Sequence, residues 1–214
     1  MVIPSLIKET ETMSDIDQLY SLDASALAER LLASVGTSTW PPVHTAVEWA
    51  LHRHAGQVRR DDTDYVCHPL RVALILHELA GLSHPDVLCA GLLHDLIEDT
   101  STSEDDIMEV FGAKVADMVR SLTLAPVPEG KNKLDRNMSH FDSLSWAGRD
   151  AQIVRSADRL DNLRTLNAIP DYDRREEYIK ETEEGLVPLT LATNTALYHA
   201  LLAALEDVKG GSGV

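Results

Sequence analysis

The residues able to do chemistry in this 214-residue chain lie in three separated segments: His68, the adjacent pair His94 and Asp95, and Asp158. Each sits on or beside a stretch that reads as a buried helix. Ionisable side chains on apolar helices are costly unless they are paired or bound to something. Two histidines and two aspartates arriving from different helices satisfy one another most cheaply by sharing a divalent metal ion, which points to a hydrolytic metalloenzyme. Around His94 the acids are spaced for one helix face: His94 and Glu98 are four apart, as are Asp95 and Asp99, and Asp95 and Glu98 are three apart. Acids at a helix C-terminus oppose its dipole, and a bound cation would offset that. Arg155, Asp158, Asn162 and Thr165 form a second polar stripe, opposite the apolar stripe of Ile153, Ala157, Leu160 and Leu163. Taken singly, each group has a blander reading: a solvated acidic helix end, a polar solvent face, and a His68 that caps a helix or packs in the core.

The elements that must position these residues are helices. Asp23 to Val35 reads as an amphipathic helix ending at Gly36, and a break at Thr39–Pro42 precedes a second helix from about Val43 to Ala55. A polar loop from Gln57 to Cys67 carries Arg59, Arg60 and the run Asp61–Asp64. His68-Pro69 opens a central helix that Gly81 can end. Ser83 is the expected cap of the next helix, which should run on through His94 to Asp99. Ser103 followed by Asp106 signals a capping box and a short helix ending near Gly112, with another helix from Ala113 to Leu124. After a loop over 126–131 and a weakly patterned stretch, a long helix is expected from about Ala147 to Asn167. A polar turn holds Pro170 and Asp171, and a last helix runs from about Leu186 to Val208. No alternating strand pattern and no internal repeat is present, so the fold class is all-α. Residues 1–20 read as an arm, 21–209 as one helical domain and 210–214 as a flexible tail.

Hydrophobic content of 44% and charged content of 25% are those of a globular domain with a sizeable core. The net charge of −16 argues against nucleic-acid binding, which needs a basic surface. It leaves room for a small anionic substrate, because a metal and a few arginines can reverse the sign inside a cleft. No segment is long and apolar enough to suggest a membrane span, and the acidic N-terminus does not resemble a secretory signal. Cys67 and Cys89 are too few for a disulfide framework, so cytoplasm is the simplest location. Oligomeric state is not legible.

Several stretches have the wording of one family. The chain contains His54-Ala55-Gly56-Gln57-Val58-Arg59, then Tyr65-Val66-Cys67-His68-Pro69-Leu70-Arg71-Val72-Ala73, then Leu92-Leu93-His94-Asp95-Leu96-Ile97-Glu98-Asp99-Thr100, then Phe111-Gly112, and Ala157-Asp158-Arg159-Leu160-Asp161-Asn162-Leu163-Arg164-Thr165-Leu166. This resembles the HD-superfamily hydrolase domain of the Rel/Spo alarmone enzymes over about residues 43–190. The resemblance implies a single compact helical domain with His68, His94, Asp95 and Asp158 as ligands of a metal, typically manganese. It implies that Glu98 and Asp99 orient and deprotonate the attacking water. It further implies that Arg59 packs on the nucleotide base, that Arg60 lies near phosphate, that Asn162 and Thr165 contact the nucleoside, and that Tyr65 and Arg155 belong to the substrate pocket. The implied reaction removes the 3′-pyrophosphate of ppGpp or pppGpp, giving GDP or GTP and pyrophosphate.

Two features depart from the family pattern. The long Rel/Spo proteins continue into a synthetase domain, whereas some 25 residues follow Leu189 here, so a stand-alone small hydrolase is expected. The segment Asp61-Asp62-Thr63-Asp64 stands where the family more often has a Gly-Glu-Pro-like turn. That segment borders the base pocket, so an adenine alarmone of the ppApp type, or another nucleotide, is the alternative substrate. A catalytically silent nucleotide sensor is the alternative in another class.

Overall fold

The computed structural model describes residues 16–35, 41–166 and 171–210. Twelve α-helices of four or more residues fall within them. They are α1 (Ala24–Val35), α2 (Pro41–Arg53), α3 (Cys67–Leu74), α4 (Pro85–Leu93), α5 (Leu96–Asp99), α6 (Glu104–Phe111), α7 (Ala113–Leu122), α8 (Lys133–Leu144), α9 (Arg149–Arg164), α10 (Tyr172–Glu181), α11 (Val187–Thr193) and α12 (Thr195–Gly210). Among the described residues there is no strand, only an isolated bridge between Val58 and Asp64. No helix is long and apolar enough to cross a membrane.

The middle of the fold is α9, which packs against α3, α4, α7, α11 and α12. Residues 151–161 are buried without a break, so the helix is covered on every side. Its polar stripe therefore faces inward, toward other protein and a cleft, rather than the outer surface. Every residue of α3 is also buried. Gly91 lets α3 and α4 approach closely: a Cβ there would come within 2.6 Å of Leu76 Cδ1. His94 follows three residues later, at the end of α4.

Four expectations need correction. The helix from α4 does not run through to Asp99. It stops at Leu93, His94 and Asp95 lie in a turn, and α5 is a separate single turn. The cap of α4 is His84, whose Nδ1 accepts from the Asp86 amide at 3.3 Å, while Ser83 faces His77. The last helix is broken at Asn194, whose extended backbone and side chain cap α12 through the Leu197 amide at 3.0 Å. The weakly patterned stretch is α8, opened by a capping box between Asn132 and Asp135, and the polar turn at Asp171 caps α10.

Other expectations are met. The Ser103–Asp106 capping box forms, and Gly81 takes a positive φ of 70° after α3 and a wider π-helical turn, Ile75–Leu79. Of the expected arm, residues 1–15 lie outside the described residues, as do 211–214 of the tail. At the described end of the arm, Ile16 and Leu19 are fully buried in the core.

Candidate metal and nucleotide site

His68 comes from the first turn of α3, His94 and Asp95 from the turn after α4, and Asp158 from the middle of α9. The fold brings His68, His94 and Asp95 to one point, with Asp158 Oδ1 beside both histidines. His68 Nε2 lies 3.2 Å from His94 Nε2, 3.2 Å from Asp158 Oδ1 and 3.5 Å from Asp95 Oδ2. His94 Nε2 lies 3.2 Å from Asp95 Oδ1 and 3.6 Å from Asp158 Oδ1. Both rings are held from behind. His68 Nδ1 donates to Asp161 Oδ2 at 2.7 Å, and His94 Nδ1 donates to the Gly91 carbonyl at 2.8 Å. Carboxylate and carbonyl only accept, so the Nδ1 proton is fixed and each neutral ring turns an Nε2 lone pair toward the same spot. Two lone pairs at that distance cannot bond each other. Ligand atoms of His68, His94 and Asp95 lie within 4.8 Å of one another, a donor set that fits a divalent cation.

The surrounding charges reinforce this. Burial opposes a charge on His94, but Asp95 and Asp158 outweigh it and hold its proton affinity well above the ordinary histidine value. A proton and a metal ion therefore compete for the same nitrogens. Burial alone would raise Asp158, yet its contacts with His68 and His94 and the Arg155 charge pull it well below the carboxylate range. Asp158 also accepts from Asn162 Nδ2 at 2.6 Å and from Arg155 Nη1 at 2.8 Å. Asp161 is completely buried and receives Arg71 Nε at 2.6 Å. Burial would raise its carboxyl too, but Arg71 and His68 keep it below the usual range. Sequence reasoning missed Asp161 as a site residue, although it stands three residues after Asp158 in the same motif.

Glu98 and Asp99 flank this centre. Glu98 Oε1 accepts from the Leu124 amide at 2.7 Å, and burial raises its carboxyl above the usual range despite that bond. The Tyr65 hydroxyl lies 2.7 Å from Asp99 Oδ2 and 2.6 Å from Asp95 Oδ2. Burial, then the Asp95 charge, keeps that hydroxyl protonated far beyond an ordinary tyrosine.

The centre opens into a cleft of about 640 Å³. Arg59, Arg60, Tyr65, Arg155, Asn162 and Thr165 all line it, together with Asp61 at its rim. Arg59 Nη2 donates to Asn162 Oδ1 and Thr165 Oγ1, each at 3.0 Å, so loop and α9 form one wall. Arg155 is bound to Asp158, and its buried Nε has no hydrogen-bond partner. The opposite wall was not expected from sequence. It carries Lys133, Arg136, Arg159, Arg174 and Tyr178 from α8, α9 and α10. Seven of the chain's 19 basic side chains thus line one cleft of a protein with net charge −16. His140 registers the field: burial, with Arg155 and Arg136, pushes its imidazole down to about 4. The available signals for this wall were the caps Asn132 and Asp171.

A cation centre in the floor of a positively charged cleft is chemistry suited to phosphate esters, and the comparisons agree with that geometry. The family model described as "HD domain" matches residues 46–190. The chain belongs to the HD domain family. It is 34% identical over 169 residues to the mouse guanosine-3′,5′-bis(diphosphate) 3′-pyrophosphohydrolase MESH1, covering 76% of this chain and 92% of that one. The human protein of the same name is 36% identical over 163 residues, covering 73% and 88%. A guanosine-3′,5′-bis(diphosphate) 3′-pyrophosphohydrolase of Aquifex aeolicus is 35% identical over 149 residues. There the match covers 69% of this chain and only 21% of the relative, so the chain spans about a fifth of that longer protein. Among solved structures, a metazoan orthologue of SpoT described as hydrolysing ppGpp superposes with a TM-score of 0.68 at 28% identity, covering 80% of this chain and 96% of that one. This HD-domain likeness runs over the same helices that carry the centre and the cleft.

Proposed function

We propose that this HD-domain protein is a metal-dependent pyrophosphohydrolase that removes the 3′-pyrophosphate of the guanosine alarmones ppGpp and pppGpp, giving GDP or GTP and pyrophosphate. The observation that carries the reading is the pair of Nε2 lone pairs meeting two carboxylates in the floor of an arginine-lined cleft. The near full-length match to relatives named as 3′-pyrophosphohydrolases supports it.

In this reading His68, His94, Asp95 and Asp158 hold a divalent cation, with manganese as the metal expected. When bound, the cation supplies Lewis acidity toward a phosphoryl oxygen and lowers the pKa of water. The chain's own groups do the rest. Glu98 and Asp99 stand beside the centre as carboxylates able to orient a water and accept its proton. The water oxygen bonds to the phosphorus attached to the 3′ oxygen, the bond from that phosphorus to the sugar oxygen breaks, and the sugar oxygen takes a proton. Arg155, with Arg159, Arg174 and Lys133 of the far wall, offsets phosphate charge; the buried guanidinium Nε groups of Arg155 and Arg159 have no partner among the described residues. Arg59, Asn162 and Thr165 form the wall against which the nucleoside rests, with Arg60 toward phosphate. The partner is a small nucleotide rather than nucleic acid, in keeping with the net charge of −16. The buried free thiols Cys67 and Cys89 suit a reducing compartment, so the cytoplasm is the proposed location.

The test is product analysis. Purified protein with manganese is given ppGpp and ppApp at equal concentration, and nucleoside diphosphate and pyrophosphate are measured with and without chelator. Chelator-sensitive release from ppGpp is expected. Failure to cleave either compound while metal is bound would overturn the proposal and favour a nucleotide sensor.

A further inference from the structure

We infer that Tyr65 is a positioning residue for hydrolysis, its hydroxyl setting the orientation of Asp99 while His54 and Gln57 brace both from behind. The inference rests on the function proposed above and assigns Tyr65 a task other than touching substrate.

The hydroxyl has one proton and two carboxylates within reach, Asp95 Oδ2 at 2.6 Å and Asp99 Oδ2 at 2.7 Å. A hydroxyl donates to one acceptor at a time. A cation held by Asp95 would draw off that carboxylate's charge and make it the weaker acceptor, which favours Asp99 as the partner of the proton. The bond then points the Asp99 carboxylate at the cleft in one rotamer, and a general base must be held in such a fixed place to work.

The brace is a closed chain of contacts. The His54 ring, 2% exposed, lies 4.8 Å from the Tyr65 ring at 33°. His54 Nδ1 donates to Gln57 Oε1 at 2.8 Å, an acceptor only. Gln57 Nε2 donates in turn to the backbone carbonyl of Asp99 at 2.9 Å. Asp99 is therefore gripped at its carboxylate by Tyr65 and at its backbone by Gln57, and those two are coupled through His54. One face of the Tyr65 ring is covered and its hydroxyl is committed, which leaves little of it for a nucleotide.

The test uses Tyr65→Phe, Asp99→Asn, the double variant and Gln57→Leu. Tyr65→Phe keeps the ring stack and removes only the hydroxyl. We expect kcat to fall about 10–100-fold with KM within about threefold and manganese content unchanged, the pattern of a misplaced catalytic group. The double variant should be no slower than Asp99→Asn alone, because both changes act through one carboxylate. Gln57→Leu should lower kcat in the same way by a smaller factor. A second readout needs no turnover: proton NMR should show a downfield, slowly exchanging tyrosine hydroxyl that is absent from Tyr65→Phe and displaced in Asp99→Asn. A raised KM with unchanged kcat, losses that multiply in the double variant, loss of metal from Tyr65→Phe, or a hydroxyl resonance indifferent to Asp99→Asn would each overturn the inference. If the unaltered protein cleaves no alarmone, the proposed function falls, and the resonance alone decides whether Tyr65 holds Asp99.

Discussion

Replacing Asp161 by Asn should weaken both the fold and the metal centre, by two separable routes. The carboxylate is fully buried and accepts from three donors: Arg71 Nε on Oδ1 at 2.6 Å, and His68 Nδ1 and Arg71 Nη2 on Oδ2 at 2.7 and 3.2 Å. An amide of the same shape must turn its NH₂ toward one of these donors. Whichever way the NH₂ turns, the Arg71 guanidinium, only 3% exposed, loses its counter-charge. Breaking such a buried pair costs about 3–5 kcal/mol. At roughly 2–4 °C per kcal/mol for a protein of this size, the melting temperature should fall by roughly 6–20 °C. If the NH₂ takes the Oδ2 position, it also meets His68, and the ring must give up its Nδ1 proton and carry one on Nε2, the nitrogen aimed at the metal. Loss of such a supporting contact weakens metal binding by about 10–100-fold. Thermal unfolding in chelator and manganese titration, run on the same Asp161→Asn samples, separate the two. Adding Arg71→Met removes the stranded charge, so it should recover much of the stability and none of the affinity. Unchanged metal affinity in a folded Asp161→Asn protein, or a double variant as unstable as the single one, would refute the reasoning.

Asp95→Ala and Asp158→Ala should lose metal and hydrolysis together, whereas Glu98→Gln and Asp99→Asn should keep metal and lose turnover; metal content and rate on the same samples decide, and equal metal loss in all four would refute the division of roles. Metal affinity should rise with pH. His94 holds its proton above the ordinary histidine value of 6.5, so below that region a proton occupies the nitrogen and above its raised value the site is free, a trend that calorimetric manganese titration at several pH values would test. Asp61 lines the cleft, and although partial burial would raise its carboxyl, bonds from Thr63 lower it. A carboxylate there accepts from the N–H edge of guanine and faces the ring lone pair of adenine. Asp61→Ala should therefore shrink any preference for ppGpp over ppApp by about tenfold, read from kcat/KM on both, and an unchanged ratio would remove Asp61 from base recognition.

Much of this centre is legible in the chain itself. His94 and Asp95 directly follow the apolar run Val87–Leu93, and Asp158 lies on a helix with an apolar stripe at Ile153, Ala157, Leu160 and Leu163, so a polar group there must meet a partner once the helix is buried. The helices with strong apolar periods and the Ser103 capping box are legible for the same reason: period and cap are local properties. The break at His94–Asp95 was not, because helix spacing alone runs straight through it, and the turn that brings both side chains to His68 forms only where α4 packs on α3 in the tertiary structure. The far wall was hidden for a different reason. In α8 and α10 the basic residues facing the cleft are Lys133, Arg136 and Arg174, which read like solvent-facing polar residues until tertiary packing encloses them. Asp161 and Tyr65 find their partners 90 and 34 residues away, at Arg71 and Asp99. A hydrogen bond depends on position to within tenths of an ångström, and no local pattern in the sequence records where a distant donor will come to rest.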